Sequence, residues 1–157
     1  MQICVRANWL IIPLITIISM LINQWFMRTQ WIWYFSLKLP PITPPIWVFG
    51  VAWTIIYILT TLCALLVFNL YEHTPQWYLI MIVFLANVCL HAMWPYIFFV
   101  RHQLGLAALN AGMLCITVWM LFGLIRKTSL TTALLLVPYG LWTTFATILG
   151  TWIYLLN

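Results

Sequence analysis

Acidic side chains are almost missing from this 157-residue sequence: Glu72 stands alone against six lysines and arginines. Charged residues of both signs make up 4 % of the chain, whereas soluble domains carry about 25 %. A chain so poor in charge cannot cover the surface of a water-borne globule, so soluble fold classes are excluded. Further absences narrow the reading. Cys4, Cys63, Cys89 and Cys115 are widely separated and form no CxxC pair, so neither a disulfide framework nor a zinc site is supported. No run of alternating polar and apolar residues exists, which excludes a membrane β-barrel. No small-x-small cleavage signature follows the first apolar run, which ends in Asn23-Gln24-Trp25-Phe26; it reads as a retained helix, not a signal peptide. Internal repeats and heptads are also missing, and an odd number of spans argues against a two-fold inverted repeat of the transporter kind.

What the chain does hold is hydrocarbon. Hydrophobic residues make up 66 % of it and the mean hydropathy is +1.10. Five apolar stretches, Asn8–Phe26, Pro44–Asn69, Trp77–Phe99, Leu104–Ile125 and Leu130–Leu156, are each long enough to cross the bilayer as a helix of roughly 20 residues. With no water for the backbone, helices are the expected form. The fold class is an all-α membrane protein, a five-transmembrane-helix bundle forming a single domain over residues 1–157. Arg6, Arg28, Lys38, Arg101, Arg126 and Lys127 scatter over the ends and connectors. They read as topology anchors, not as a nucleic-acid patch, and they divide equally between the two ends. Conventional hydrolysis or metal catalysis needs positioned titratable groups. Here Glu72, His73 and His102 fall in connectors, where they are expected to be solvated. Only His91 falls within a span, which also argues against energised transport.

The sequence holds eleven tryptophans, more than an interfacial belt requires, so several are expected inside the bundle around a flat apolar ligand. Pro40, Pro41, Pro44 and Pro45 stiffen the first connector into an extended strip. Thr43 is placed to cap the following helix, with Pro44 at its first position. Phe49, Trp53 and Tyr57 then share one helical face. In the third span Asn87, His91 and Trp94 recur with helical spacing, and Phe98 follows one turn later; polar groups there are expected to face the bundle interior. The last span aligns Tyr139, Trp142, Ala146 and Leu149, and small Ala146 permits close approach. Trp47 and Trp152 read as interface anchors. Two roles are open to His91: a neutral imidazole bonded to a backbone carbonyl of another helix, or an axial ligand of haem iron.

These residues resemble the TspO/MBR family, the tryptophan-rich sensory proteins that include the mitochondrial translocator protein. The likeness runs through Trp33-Tyr34, Leu37-Lys38, Pro40 and Pro44-Pro45, then W-x-F-G-x-x-W-x-x-x-Y at Trp47–Tyr57. It continues in W-x-x-x-F-F at Trp94–Phe99, P-Y-x-x-W-x-x-F-A-x-x-L at Pro138–Leu149, and Asn157. The resemblance implies a five-helix bundle that binds a tetrapyrrole, porphyrin or haem, as a sensor or regulator or in ligand traffic, with no cofactor required. It implies a pocket lined by Trp53 and Trp142, with Phe49, Tyr57, Ala146 and the lid residue Tyr34 at matching positions. Asn87, His91, Trp94 and Leu149 complete the expected wall. Alternatives within the resemblance are light- and oxygen-dependent porphyrin breakdown, with Trp53 and Trp142 as redox partners, and translocation of a sterol or other apolar ligand. The expected partners are lipid and a flat apolar ligand, not nucleic acid. Homodimers through helix faces are also implied, although no GxxxG pair marks one. The membrane implied is bacterial cytoplasmic or mitochondrial outer. Three departures stand out: His91 and Pro95 replace the usual Asn and Ser around Trp94, Asn110 takes the place of an Asp, and Tyr154 is followed by no Lys or Arg, so the cholesterol pattern is missing.

Overall fold

Each apolar run satisfies its backbone groups internally by coiling into helix, because a bilayer offers no alternative partner. The computed structural model describes residues 7–28, 30–70 and 75–157; Cys4, Arg6, Glu72 and His73 lie outside the described residues. The elements are α1 (Asn8–Met27), α2 (Trp31–Ser36), α3 (Ile46–Leu70), α4 (Trp77–Pro95), α5 (Leu104–Ile125), α6 (Leu130–Leu134) and α7 (Val137–Leu156), and α4 runs on into a π-helical turn at Tyr96–Val100. Among the described residues all regular structure is helical, and five segments are long and apolar enough to span a membrane. They begin and end within two residues of the stretches read from the sequence.

The five spans close into a ring in the order α1, α3, α7, α5, α4. The α5–α7 seam is the most extensive and the α3–α7 seam the slightest in that ring. Small residues account for the tight seam. Gly140 on α7 lies so close under the Trp119 indole of α5 that a Cβ there would come within 2.7 Å of the ring. Further along, Gly150 lets Ala108 approach the α7 backbone. Van der Waals contact of this kind is the main force joining helices in lipid. The largest buried cluster includes Ile56, Cys63, Val67, Leu114, Val118, Leu121, Ile125, Leu136 and Tyr139. A second cluster, at the end where α4 and α1 finish, gathers Tyr34, Ile97, Phe98, Phe99 and Ala107, with Trp31, Trp33 and Trp94 packed against it.

Several local expectations are corrected. Thr43 does not cap α3, which starts at Ile46. Its hydroxyl turns back and donates to the Pro40 carbonyl at 2.7 Å, and its N–H does the same at 3.0 Å. The proline strip is therefore bent by a turn rather than straight. Before the strip, α2 forms a short helix that periodicity could not reveal, held by its aromatic packing on Phe98 and Phe99. The last span is two helices: α6 stops before Leu135–Leu136, and α7 restarts with Pro138 in its first turn, where a missing N–H costs nothing. Pro95 has the opposite effect inside α4. It removes a hydrogen bond and the next turn widens, so that the Arg101 N–H reaches the Tyr96 carbonyl at 3.0 Å. That wider turn buries Ile97, Phe98 and Phe99 together.

Candidate ligand-binding site

Trp53 is the hub of the aromatic interior. Its ring lies 4.8 Å from that of His91, edge-on, and 5.9, 6.2 and 6.4 Å from those of Tyr57, Tyr139 and Trp142. Phe49, one turn before Trp53, meets Trp142 edge-on at 5.5 Å. The i, i+4, i+8 stripe of α3 thus meets α4 and α7 in one place. Edge-to-face pairing suits these rings, whose positive rims meet negative faces.

Two hydrogen-bonded groups support the hub. In the first, Asn23 of α1 donates through Nδ2 to the Tyr57 hydroxyl and to His91 Nδ1, each at 3.0 Å. His91 Nε2 lies 3.4 Å from the same hydroxyl. His91 therefore bonds to side chains on two helices, not to a backbone carbonyl, and haem coordination would cost it one of these partners. In the second, the Tyr139 hydroxyl donates to Asn87 Oδ1 at 3.1 Å, and Asn87 Nδ2 donates to Thr117 Oγ1 at 2.9 Å. Between the groups lies a cavity of about 60 Å³ bounded by α1, α3, α4 and α7. On the other side of Trp53, the α3–α7 seam carries a groove of about 310 Å³ lined by Ala52, Ile55, Ile56, Pro138, Leu141, Trp142 and Phe145.

Not every expected wall residue joins this hub. Phe49, Trp53, Tyr57, Asn87, His91 and Trp142 do. Ala146 and Leu149 continue the α7 face toward the lid, half-buried and buried respectively. Tyr34 and Trp94 belong to the lid-end cluster instead: Trp94 stacks on Phe98 at 5.0 Å and Tyr34 lies 6.3 Å from the same ring. Burial pushes the Tyr34 phenol above its ordinary pKa of 10.0, so it stays neutral under physiological conditions. Trp47 is 69 % exposed and Trp152 39 %, on the outer surface. Asn110 is buried and its Oδ1 has no hydrogen-bond partner. His102 is exposed, as expected, with its ring stacked on Trp33 at 3.9 Å, and it reverses the chain before α5 with a φ of 53°.

Sequence reasoning missed Asn23 and Thr117, and gave Asn157 as part of the family likeness without a role. Asn23 read as the tail of the first span, although a polar amide within a membrane helix is itself a signal. Asn157, immediately after α7, clasps the lid. Its Oδ1 accepts from the Lys38 N–H at 2.9 Å, and its Nδ2 donates to the Lys38 carbonyl at 3.1 Å and to that of Ile153 at 2.9 Å. All described charges lie outside the spans: Arg28, Lys38 and Arg101 toward the lid, Arg126 and Lys127 at the opposite end. The hub itself is neutral.

A ring of five membrane helices with an aromatic interior defines a multi-pass membrane protein. Comparison places it more narrowly: residues 7–155 match the model of the TspO/MBR family, and the chain belongs to that family. It is 33 % identical over 127 residues to the tryptophan-rich protein TspO of Bacillus cereus, covering 80 % of each chain. Protein CrtK of Rhodobacter capsulatus is 32 % identical over 125 residues, covering 80 % of this chain and 78 % of that one. A tryptophan-rich sensory protein of Cereibacter sphaeroides is 34 % identical over 119 residues, covering 73 % and 70 %.

Proposed function

We propose that this protein is a membrane sensor or regulator that binds a flat tetrapyrrole, porphyrin or haem, at the α3–α7 seam. The observation that carries the reading is the meeting of Trp53 and Trp142 at 6.4 Å beside a groove of about 310 Å³. That volume reaches the range of small-molecule sites, about 300–1,000 Å³, whereas the inner cavity of about 60 Å³ falls far below it. A tetrapyrrole therefore enters along the groove and parts the two indoles. This is the seam with the least packing to lose. The family supplies the choice of tetrapyrrole over other flat ligands, and the sensory name borne by the Cereibacter sphaeroides relative supports a regulatory role.

Ring contacts contribute about 0.5–1.5 kcal/mol each beyond burial, so each indole removed is expected to weaken binding roughly tenfold. The test is a titration of purified protein with protoporphyrin, read by tryptophan quenching, for wild type, Trp53→Ala, Trp142→Ala and the double variant. Trp25→Ala, on the outer face of α1 where the ring is 70 % exposed, is the control. A double variant that binds like wild type would remove the seam as the site.

A further inference from the structure

The first span is held unlike the others. Among the described residues, α3, α4, α5 and α7 each bury at least four side chains, whereas the one buried side chain of α1 is Asn23. Apolar side chains of α1 such as Ile12 and Met27 reach the two clusters only half-buried. What fastens α1 is polar. The Asn23 amide bonds to the Tyr57 hydroxyl of α3 and to His91 Nδ1 of α4, each at 3.0 Å, and Thr16 Oγ1 meets Thr61 Oγ1 of α3 at 2.9 Å. Such bonds are individually weak between membrane helices, and lipid tails are as apolar as the side chains they replace. Release does not strand the amide either. Asn23 lies four residues before the end of α1, about 6 Å along the axis, within reach of the headgroups.

The point of fastening is also where a ligand presses. The Trp53 ring adjoins both residues that hold Asn23, His91 at 4.8 Å and Tyr57 at 5.9 Å, and on its far side Trp142 lines the α3–α7 groove. An indole pushed away from Trp142 moves toward the inner cavity, whose wall on the α1 side is Ile15, Thr16 and Ser19. That chamber holds about 60 Å³, while even benzene takes a cavity of about 150 Å³, so a displaced indole drives a wall outward. The wall with the least buried is α1. We propose that α1 is the response element of the sensor: a ligand in the α3–α7 seam displaces Trp53 against Tyr57 and His91, breaks their bonds to Asn23 and releases α1 from the bundle. The inference rests on the seam as the ligand site and adds how its occupancy is reported.

Coupling of this kind is reciprocal, which fixes the sign of the test. If binding releases α1, loosening α1 beforehand tightens binding, whereas plain damage to the site weakens it. In a protoporphyrin titration read by tryptophan quenching, Asn23→Leu lacks both amide bonds and is expected to bind about five- to tenfold tighter than wild type. Thr16→Val is expected to bind tighter by a smaller factor, and it keeps the test open if Asn23→Leu does not fold. The converse arm locks α1. With their hydroxyls 2.9 Å apart, Thr16→Cys and Thr61→Cys together can close a disulfide. The bridged form is expected to bind protoporphyrin about fivefold more weakly, or worse, than the same protein after reduction. If the Trp53→Ala, Trp142→Ala double variant binds like wild type, the seam fails and this inference with it. If the tryptophan variants lose binding but the loosened α1 variants bind no tighter than wild type, or the bridged and reduced forms bind equally, the seam stands and the role of α1 is overturned.

Discussion

Replacing Asn87 by leucine should be among the most damaging changes in the bundle, and the structure indicates how its cost divides. Leucine keeps the branching of asparagine and is the larger of the two, so no cavity forms and the loss is chiefly polar. Asn87 accepts from Tyr139 and donates to Thr117. Interhelical hydrogen bonds in membranes average about 0.6 kcal/mol and reach about 1.7, so the two together contribute roughly 1–3 kcal/mol. Thr117 keeps its own donation to the Leu114 carbonyl at 2.7 Å and loses little more. Tyr139 is 3 % exposed, and its hydroxyl is left with no acceptor, which adds about 1–3 kcal/mol. Asn87→Leu is thus expected to cost roughly 2–6 kcal/mol. Tyr139→Phe removes the stranded group, so Asn87→Leu with Tyr139→Phe should be more stable than the sum of the single losses predicts, by about 1–3 kcal/mol. Reversible unfolding in mixed micelles, followed by circular dichroism, measures all four corners of this cycle. Additivity within about 0.3–0.5 kcal/mol would refute the direct bond and with it this account of the chamber wall.

Gly140→Ala pushes a methyl group into the Trp119 ring and strains its 3.2 Å bond from Nε1 to Thr144 Oγ1. The expected loss is about 1–3 kcal/mol, most of it absent in a Trp119→Leu background under the same unfolding assay. Asn157→Ala removes the clasp on Lys38, and trypsin should then cut after Lys38 several-fold faster than in wild type; equal digestion rates would show that other contacts hold the lid. His91 has both ring nitrogens engaged by Asn23 and Tyr57, so the visible spectrum of the haemin complex should be the same for wild type and His91→Ala. A shift of the haem bands in that variant would instead identify His91 as an iron ligand. If illuminated protein bleaches protoporphyrin in the presence of oxygen, Trp53→Phe and Trp142→Phe should each slow the loss of the visible band, and unchanged rates would exclude the pair as redox partners.

The number of spans, their limits to within two residues and the inward stripe of Phe49, Trp53 and Tyr57 could be read from the chain because they are local quantities. Hydrocarbon thickness sets a length, helical geometry sets a spacing, and both are written in consecutive residues. Membership of the TspO/MBR family was legible for the same reason, since its motifs are short and ordered. What lay beyond reach was every feature that joins distant residues. Asn23 finds His91 across 68 positions, and Lys38 finds Asn157 across 119; nothing in either neighbourhood announces its partner. The separation of Tyr34 and Trp94 from the Trp53 hub also depends on how α2 and the turn after Pro95 stack, which is a matter of packing, not periodicity. Above all, the contrast between a tight α5–α7 seam and a loose α3–α7 seam was decided by tertiary structure alone. In a bilayer nearly every side chain is apolar, so hydrophobicity cannot select which helix faces close up and which stay slack. Shape does that, and shape exists only once the helices are assembled.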